Sequence, residues 1–319
     1  MTQPIRFLLL CFALASIQSL IAQKKDCEST VVGDLRIHTF QSKIFGDTQT
    51  LRVWLPPGYD DPANATWIYP VLYMLDAQNL FDVCTSGFGN EWQIDETLTK
   101  LIANKSVEPI VVVGIDNPSA RRTDEYTPFP YAVQPGTLPH PHGAKFPDFL
   151  VDDVFPLVSA QYGVSTDRRQ SAIGGSSYGA VAALYILLRR PDMFALGLLE
   201  STSLQVGNGE LVRESESLFQ RPNRVYIGVG QTEVSMPAEV ARKVGIDVTS
   251  ASLCFARASE KLAENLKVAE INRPDVIFVS TPAHTTKRKL GPHVSRLRSS
   301  FFFPLNRRPN CEVSIRTTC

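Results

Sequence analysis

The stretch best suited to chemistry is residues 171–190, where an apolar run (Ala172, Ile173) meets Gly174-Gly175-Ser176-Ser177-Tyr178-Gly179 and passes directly into Ala180-Val181-Ala182-Ala183-Leu184. The pattern reads as strand, tight turn, helix. Gly175, Ser177 and Gly179 satisfy G-x-S-x-G, whose glycines let the chain turn so sharply that the serine hydroxyl projects from the turn. Ser177 is thereby the candidate nucleophile, and N–H groups at the helix start are placed to stabilise an oxyanion on an attacked carbonyl. A Gly/Ser-rich segment alone is an ordinary loop, so the flanking strand and helix carry this reading.

A serine hydroxyl is a weak nucleophile near neutral pH and needs a neighbouring base, most often a histidine held in one tautomer by a carboxylate. Of the five histidines, His38 falls in an early hairpin, His140 and His142 in a proline-rich loop, and His284 and His293 after the last strand. Serines on this kind of turn are followed in the chain by the acid and then by the histidine. That order points to His284, four residues past the strand, with His293 as its rival. The ordinary alternatives are a solvated loop residue beside Lys287, Arg288 and Lys289 for the first and a helix-start residue for the second. For the acid, Glu233 follows Gly230-Gln231-Thr232 at a strand end, with Asp247 second; a helix-start charge is the plain alternative. The expected oxyanion donors are the N–H of Tyr178, next to the serine, and an N–H near Gln78, in the loop after an early strand.

The elements that must position these residues follow from hydrophobic patterning. Residues 35–44 and 51–55 form an antiparallel hairpin at a sheet edge, with Pro56-Pro57-Gly58 ending it. Continuous apolar runs at 69–75 and 110–116 read as strands buried on both faces, joined through a helix over 91–104 by a right-handed parallel crossover. Residues 117–147, rich in Pro, Gly and charge, form a loop without regular structure that walls the site. A helix over 146–162, strands at 195–199 and 224–230, a helix over 248–266 and a last strand at 275–280 complete the alternation. No repeat or linker divides it, so residues 23–303 read as one α/β domain, a doubly wound and mostly parallel sheet with an N-terminal antiparallel hairpin. The tail 304–319 fits no pattern.

Lysine plus arginine and aspartate plus glutamate number 32 each, so no global field favours nucleic acid or an acidic membrane; 44% hydrophobic content indicates a globular chain. Residues 1–22 carry Arg6 and an apolar run over 7–14, the pattern of a secretory signal peptide, cleaved after Ala22 or near Ala13-Leu14-Ala15. The mature chain is then secreted or periplasmic, with no membrane span left. Losing Cys11 leaves Cys27, Cys84, Cys254, Cys311 and Cys319, an odd set in which Cys311 and Cys319 could close a tail loop. No C-x-x-C is present, which removes cysteine-based zinc and thioredoxin readings. Asn64-Ala65-Thr66 and Asn104-Lys105-Ser106 match the N-glycosylation acceptor.

Several stretches resemble the putative-esterase branch of the α/β-hydrolases, the group of esterase D, enterochelin esterases, feruloyl esterase domains and mycolyltransferases. They are Tyr73-Met74-Leu75-Asp76-Ala77-Gln78-Asn79-Leu80-Phe81-Asp82, Trp92-Gln93-Ile94-Asp95-Glu96, Gly114-Ile115-Asp116-Asn117 with Arg121, Arg122, Glu125, Tyr126 and Pro128, and residues 173–179. The resemblance implies a single α/β-hydrolase domain, a triad of Ser177, Glu233 and His284, and oxyanion donors at Tyr178 and Gln78. Ala77 stands where the family usually has glycine, Glu233 where aspartate is common, and a basic run replaces the usual tryptophan-containing helix after His284. The expectation is a secreted serine esterase acting through an acyl-enzyme on a siderophore, phenolic or small acyl ester, with no metal or organic cofactor. Acyl transfer at the same site and a silent binding scaffold are the alternatives. Arg121, Arg122 and Tyr126 are the expected substrate contacts, the arginines because guanidinium forks match carboxylates. The oligomeric state is left open.

Overall fold

The computed structural model describes residues 27–87, 89–130, 132–133, 136–137, 141–217, 222, 224–233, 237–244, 247–267 and 275–281. Eight strands form one sheet: β1 (Asp34–Gln41), β2 (Thr48–Leu55), β3 (Val71–Leu75), β4 (Val111–Ile115), β5 (Ser171–Ser176), β6 (Leu196–Glu200), β7 (Arg224–Gly230) and β8 (Asp275–Thr281). Their spatial order is β1-β2-β4-β3-β5-β6-β7-β8. The first two pairings, β1 with β2 and β2 with β4, are antiparallel, and every later one is parallel. This is the doubly wound, mostly parallel sheet with an N-terminal hairpin that the patterning predicts.

Side chains alternate across a strand, so the apolar runs feed two cores. Tyr73 and Leu75 of β3, Val113 of β4 and Ile173 of β5 join one core with α5 (Tyr178–Arg189), α6 (Glu210–Glu214) and α8 (Val248–Lys267), the short α7 (Ala238–Val244) preceding α8 in the chain. Leu72 and Met74 of β3, Val112 of β4 and Ala172 of β5 join the other, under α1 (Ile94–Ala103) and the segment before β1. The helix α5 is buried nearly all round, which explains a sequence with almost no polar face.

Two expectations are corrected. Residues 117–147 are not structureless: they hold α2 (Arg122–Tyr126) and a small ribbon pairing Ala132–Val133 with Gly136–Thr137. The helix expected over 146–162 is interrupted, as α3 (Phe146–Phe149) passes through a π turn at Leu150–Val154 into α4 (Phe155–Gln161). Pro156 has no N–H to continue the α ladder, a sufficient local reason for the break. The π turn aims the Asp153 carboxylate at the hairpin turn, where it accepts from Ser42 Oγ at 2.6 Å and from the N–H of Lys43 at 3.0 Å and Ile44 at 3.3 Å.

Ahead of β1, residues 27–32 form a strap tied down by a Cys27–Cys84 disulfide. Trp54, fully buried, donates its indole N–H to Val32 O at 2.8 Å and fixes the strap's far end. Cys254 is free and exposed, while Cys311 and Cys319 lie outside the described residues, as do residues 1–22, expected to be a signal peptide. The disulfide spans 57 residues of separation, so the Cys27→Ser/Cys84→Ser double variant is expected to lose about 2–4 kcal/mol in urea unfolding.

Candidate active site

The β5 strand ends at Ser176 and α5 starts at Tyr178, leaving Ser177 as the single residue of the turn. Its backbone sits at φ 58°, ψ −121°, a conformation that costs a non-glycine residue about 1–3 kcal/mol. The Ser177 N–H donates to Glu200 O at 3.0 Å and its carbonyl accepts from Val181 N at 3.1 Å, so the turn is held on both sides. Glycine is required at its flanks. A Cβ on Gly175 would lie 2.6 Å from the Gly179 carbonyl carbon, and one on Gly179 would lie 2.8 Å from Asp76 Oδ2. The half-buried Ser177 Oγ stands 3.3 Å from Ser203 Oγ, a neighbour that the sequence reading missed.

The adjacent strand β3 runs parallel to β5, pairing Met74 with Gly174, and so delivers the turn Ala77–Asn79 to the same sheet edge as Ser177. Gln78 lies in that 3-10 turn and Tyr178 opens α5, and the first N–H groups of a helix have no acceptor within it. Both expected oxyanion donors therefore stand at helix starts on one edge. The Gln78 side chain is occupied, its Oε1 accepting from Asn117 N at 3.1 Å.

Beneath these two turns lies an ion pair. Asp76, buried and left-handed at φ 62°, accepts a fork from Arg122, with Nε at 2.6 Å and Nη2 at 2.7 Å, and a third bond from Asn117 Nδ2 at 2.6 Å. Its N–H donates to the Tyr126 hydroxyl at 3.2 Å. The Arg122 guanidinium lies over the rings of Tyr126 and Tyr178, 5.3 Å and 5.7 Å from their centroids. Burial first, and the Asp76 charge second, hold the Tyr126 phenol well above its ordinary pKa, so it stays a neutral hydrogen-bonding group. Arg122 and Tyr126, expected against the substrate, are thus engaged in holding Asp76. Arg121 is about half exposed and pairs with Asp47 and Glu125.

On the acid side, Glu233 Oε1 accepts from Ser201 Oγ at 2.6 Å and from Gly230 N at 2.5 Å. Ser201 follows β6 and Gly230 ends β7, which places this carboxylate at the same edge as the elbow. Asp247 caps α8, accepting from Thr249 N at 3.1 Å and Ser250 Oγ at 2.6 Å, and the Ser250 hydroxyl holds its carboxyl below the usual range. His284, His293 and His140 lie outside the described residues. His38 sits on the edge strand β1, bound to the Tyr162 hydroxyl at 2.6 Å, and His142 starts a 3-10 turn, its N–H donating to Asp124 O at 2.7 Å. Neither ring hydrogen-bonds Ser177. A groove of about 750 Å³ between Leu204, Val212, Cys254 and Phe255 contains none of the candidate catalytic residues.

A family model described as "Putative esterase" matches residues 42–244. Among curated proteins, an endo-1,4-beta-xylanase/feruloyl esterase of Xylanibacter ruminicola is 24% identical over 269 residues, 79% of this chain and 33% of that one. The ferri-bacillibactin esterase BesA of Bacillus subtilis is 25% identical over 183 residues, 52% of this chain and 60% of its own. The chain thus spans a third to three fifths of these two relatives. The solved siderophore hydrolase EstB from Aspergillus nidulans superposes with a TM-score of 0.67 at 19% identity, covering 89% of this chain and 99% of EstB, a likeness of fold.

Arg122→Met leaves the Asp76 carboxylate buried without its counter-charge and is expected to cost about 3–5 kcal/mol in urea unfolding. The Asp76→Asn/Arg122→Met double variant should recover most of that loss.

Proposed function

Because this chain belongs to the putative-esterase family, we propose that it is a serine carboxylic-ester hydrolase acting through an acyl-enzyme on Ser177. The observation that carries the reading is the strained, glycine-flanked elbow at Ser177, presented at the start of a buried helix. A conformation that costs free energy persists where its surroundings over-determine it, as they do at nucleophile turns.

In this mechanism Ser177 Oγ attacks the ester carbonyl while His284 takes its proton, and Glu233 orients the imidazole and stabilises its cationic form. The N–H groups of Tyr178 and Gln78 hold the oxyanion of the tetrahedral intermediate. The C–O bond to the leaving alcohol breaks as His284 returns the proton to that oxygen. Water, deprotonated by the same imidazole, then attacks the acyl-enzyme and releases the acid and free Ser177. No step calls on a metal or an organic cofactor. Glu233 is preferred to Asp247 because its carboxylate stands at the strand-end edge that carries the elbow, whereas Asp247 caps α8.

Siderophore or phenolic esters are the proposed substrates, by analogy with the relatives whose names carry those activities. Arg121, half-exposed beside Asp47 and Glu125, is the proposed contact for an acidic substrate group, which would compete with those carboxylates. Secretion or export to the periplasm is supported by the Cys27–Cys84 disulfide, a bond that persists in oxidising compartments.

Hydrolysis of p-nitrophenyl acetate and butyrate by the mature chain tests this reading. Ser177→Ala and His284→Ala are expected to lower kcat by roughly 10⁴-fold or more, and Glu233→Gln by roughly 10³- to 10⁴-fold. Unchanged turnover in Ser177→Ala would remove the nucleophile, and collapse in His293→Ala with His284→Ala active would move the base. Feruloyl esters and ferric siderophore esters, compared by kcat/KM, separate the two substrate classes.

A further inference from the structure

The groove between Leu204 and Phe255 begins one residue beyond the serine that neighbours the elbow. Ser203 is buried, with its Oγ 3.3 Å from Ser177 Oγ and its N–H donating to Ser177 O at 3.4 Å. Leu204, next in the chain, lines the groove, whose volume of about 750 Å³ is that of a small-molecule site.

One wall is α8. Because β7 and β8 are parallel, the chain between them must return across the sheet, so α8 starts at the carboxyl edge that carries Ser177 and runs back. The lining residues Ala251, Cys254, Phe255 and Ala258 recur at helical spacing on its first turns. Over the same turns the fully covered positions are serines, Ser252 and Ser259, while Ala251, Phe255 and Ala258 stay half-buried. The first half of α8 therefore leaves an apolar stripe partly uncovered along the groove. The facing wall includes three consecutive left-handed residues, Gly207, Asn208 and Gly209, at φ 60°, 54° and 79°. A Cβ on Gly207 would lie 2.8 Å from Phe129 Cβ, so the segment after β4 braces this turn in its strained form.

Charge decides what the groove can hold. Its two basic residues are already paired, Arg213 with Glu210 and Lys261 with Glu216 at 3.6 Å, and Arg213 Nη1 also donates to Asn208 O at 2.6 Å. An anionic occupant would have to displace those carboxylates, whereas an uncharged apolar chain needs only the surface that Leu204, Val212, Phe255 and Ala258 offer. We propose that this groove is the subsite for an uncharged, apolar chain of the ester cleaved at Ser177. The assignment rests on Ser177 as the nucleophile, and it narrows the substrates to esters with an apolar arm, against anionic ferric complexes.

The test compares kcat/KM of the mature chain for p-nitrophenyl octanoate against acetate, which lengthens the acyl side, and for octyl against ethyl acetate, which lengthens the alcohol side. In one of the two series the long ester is expected to be preferred by about 100-fold, since each buried methylene adds binding. Ala251→Phe and Ala258→Phe fill the groove and are expected to lower that ratio by about tenfold or more. A second readout needs no turnover. In Ser177→Ala, alkylation of Cys254 by N-ethylmaleimide, followed by peptide mass spectrometry, should slow by about fivefold once the long ester is present at several times its Kd. Hydrolysis of the short esters with a flat preference in both series, or with ratios unchanged in both variants, overturns the groove and leaves the reading of Ser177 standing. Protection of Cys254 without turnover of any ester by the wild type supports the groove and removes that reading. Protection by a ferric siderophore and by neither long ester overturns the apolar occupant. A Cys254 that resists alkylation before any ligand is added overturns it equally, because residues 304–319 or a second copy of the chain then cover the groove, and dilution separates those two.

Discussion

The geometry of the sheet edge depends on one ion pair, Asp76 with Arg122. A carboxylate placed under two turns would be a liability without a partner, since removing charge from water is expensive. Here it is satisfied by the Arg122 fork, by Asn117 and, at its own backbone, by the Tyr126 hydroxyl. Those partners come from the segments after β4, so the strand end of β3, the loop after β4 and the elbow after β5 are locked together. Gly179 approaches the same carboxylate so closely that no side chain fits between them. The position of Ser177 relative to Gln78 is thus set by buried electrostatics as much as by strand pairing.

The elbow itself shows how an unfavourable local conformation is sustained. Ser177 is held off the ordinary backbone regions, yet its N–H and carbonyl are both bonded, and the helix it opens is almost wholly buried. The helix cannot shift to relax the turn without losing apolar contacts along its length. Strain at one residue is thereby offset by burial at ten others.

Much of this was legible in the sequence because buried parallel strands are continuous apolar runs with little ambiguity. Residues 71–75 and 111–115 are such runs, and the glycine spacing around Ser177 has few other uses. The Asp76–Arg122 pair was not legible, since its members are 46 residues apart and Arg122 reads as a substrate contact on a loop. The π turn was hidden because Phe149, Leu150, Val154, Leu157 and Val158 keep helical spacing across it. Ser203 has no periodic signature; only the return of the chain from β6 brings its hydroxyl beside Ser177. The Cys27–Cys84 bond could not be chosen from five cysteines, and His284, proposed as the base, lies outside the described residues. Patterning reveals what is repeated along the chain, whereas pairings between distant single residues leave no such trace.

The strand order carries a consequence for how the chain reaches this state. The strand β3 lies between β4 and β5, both of which are made after it, and the hairpin turn at Ser42 is completed by Asp153, 111 residues further on. Early segments therefore wait for late ones. Until β5 arrives, an apolar strand paired by β4 on one side only keeps its other edge open, the condition under which partly folded chains pair with each other. Contacts this distant in sequence also slow the search for the native arrangement. A polypeptide with this topology has a long vulnerable interval between synthesis and closure, and depends during it on being kept apart from its own copies.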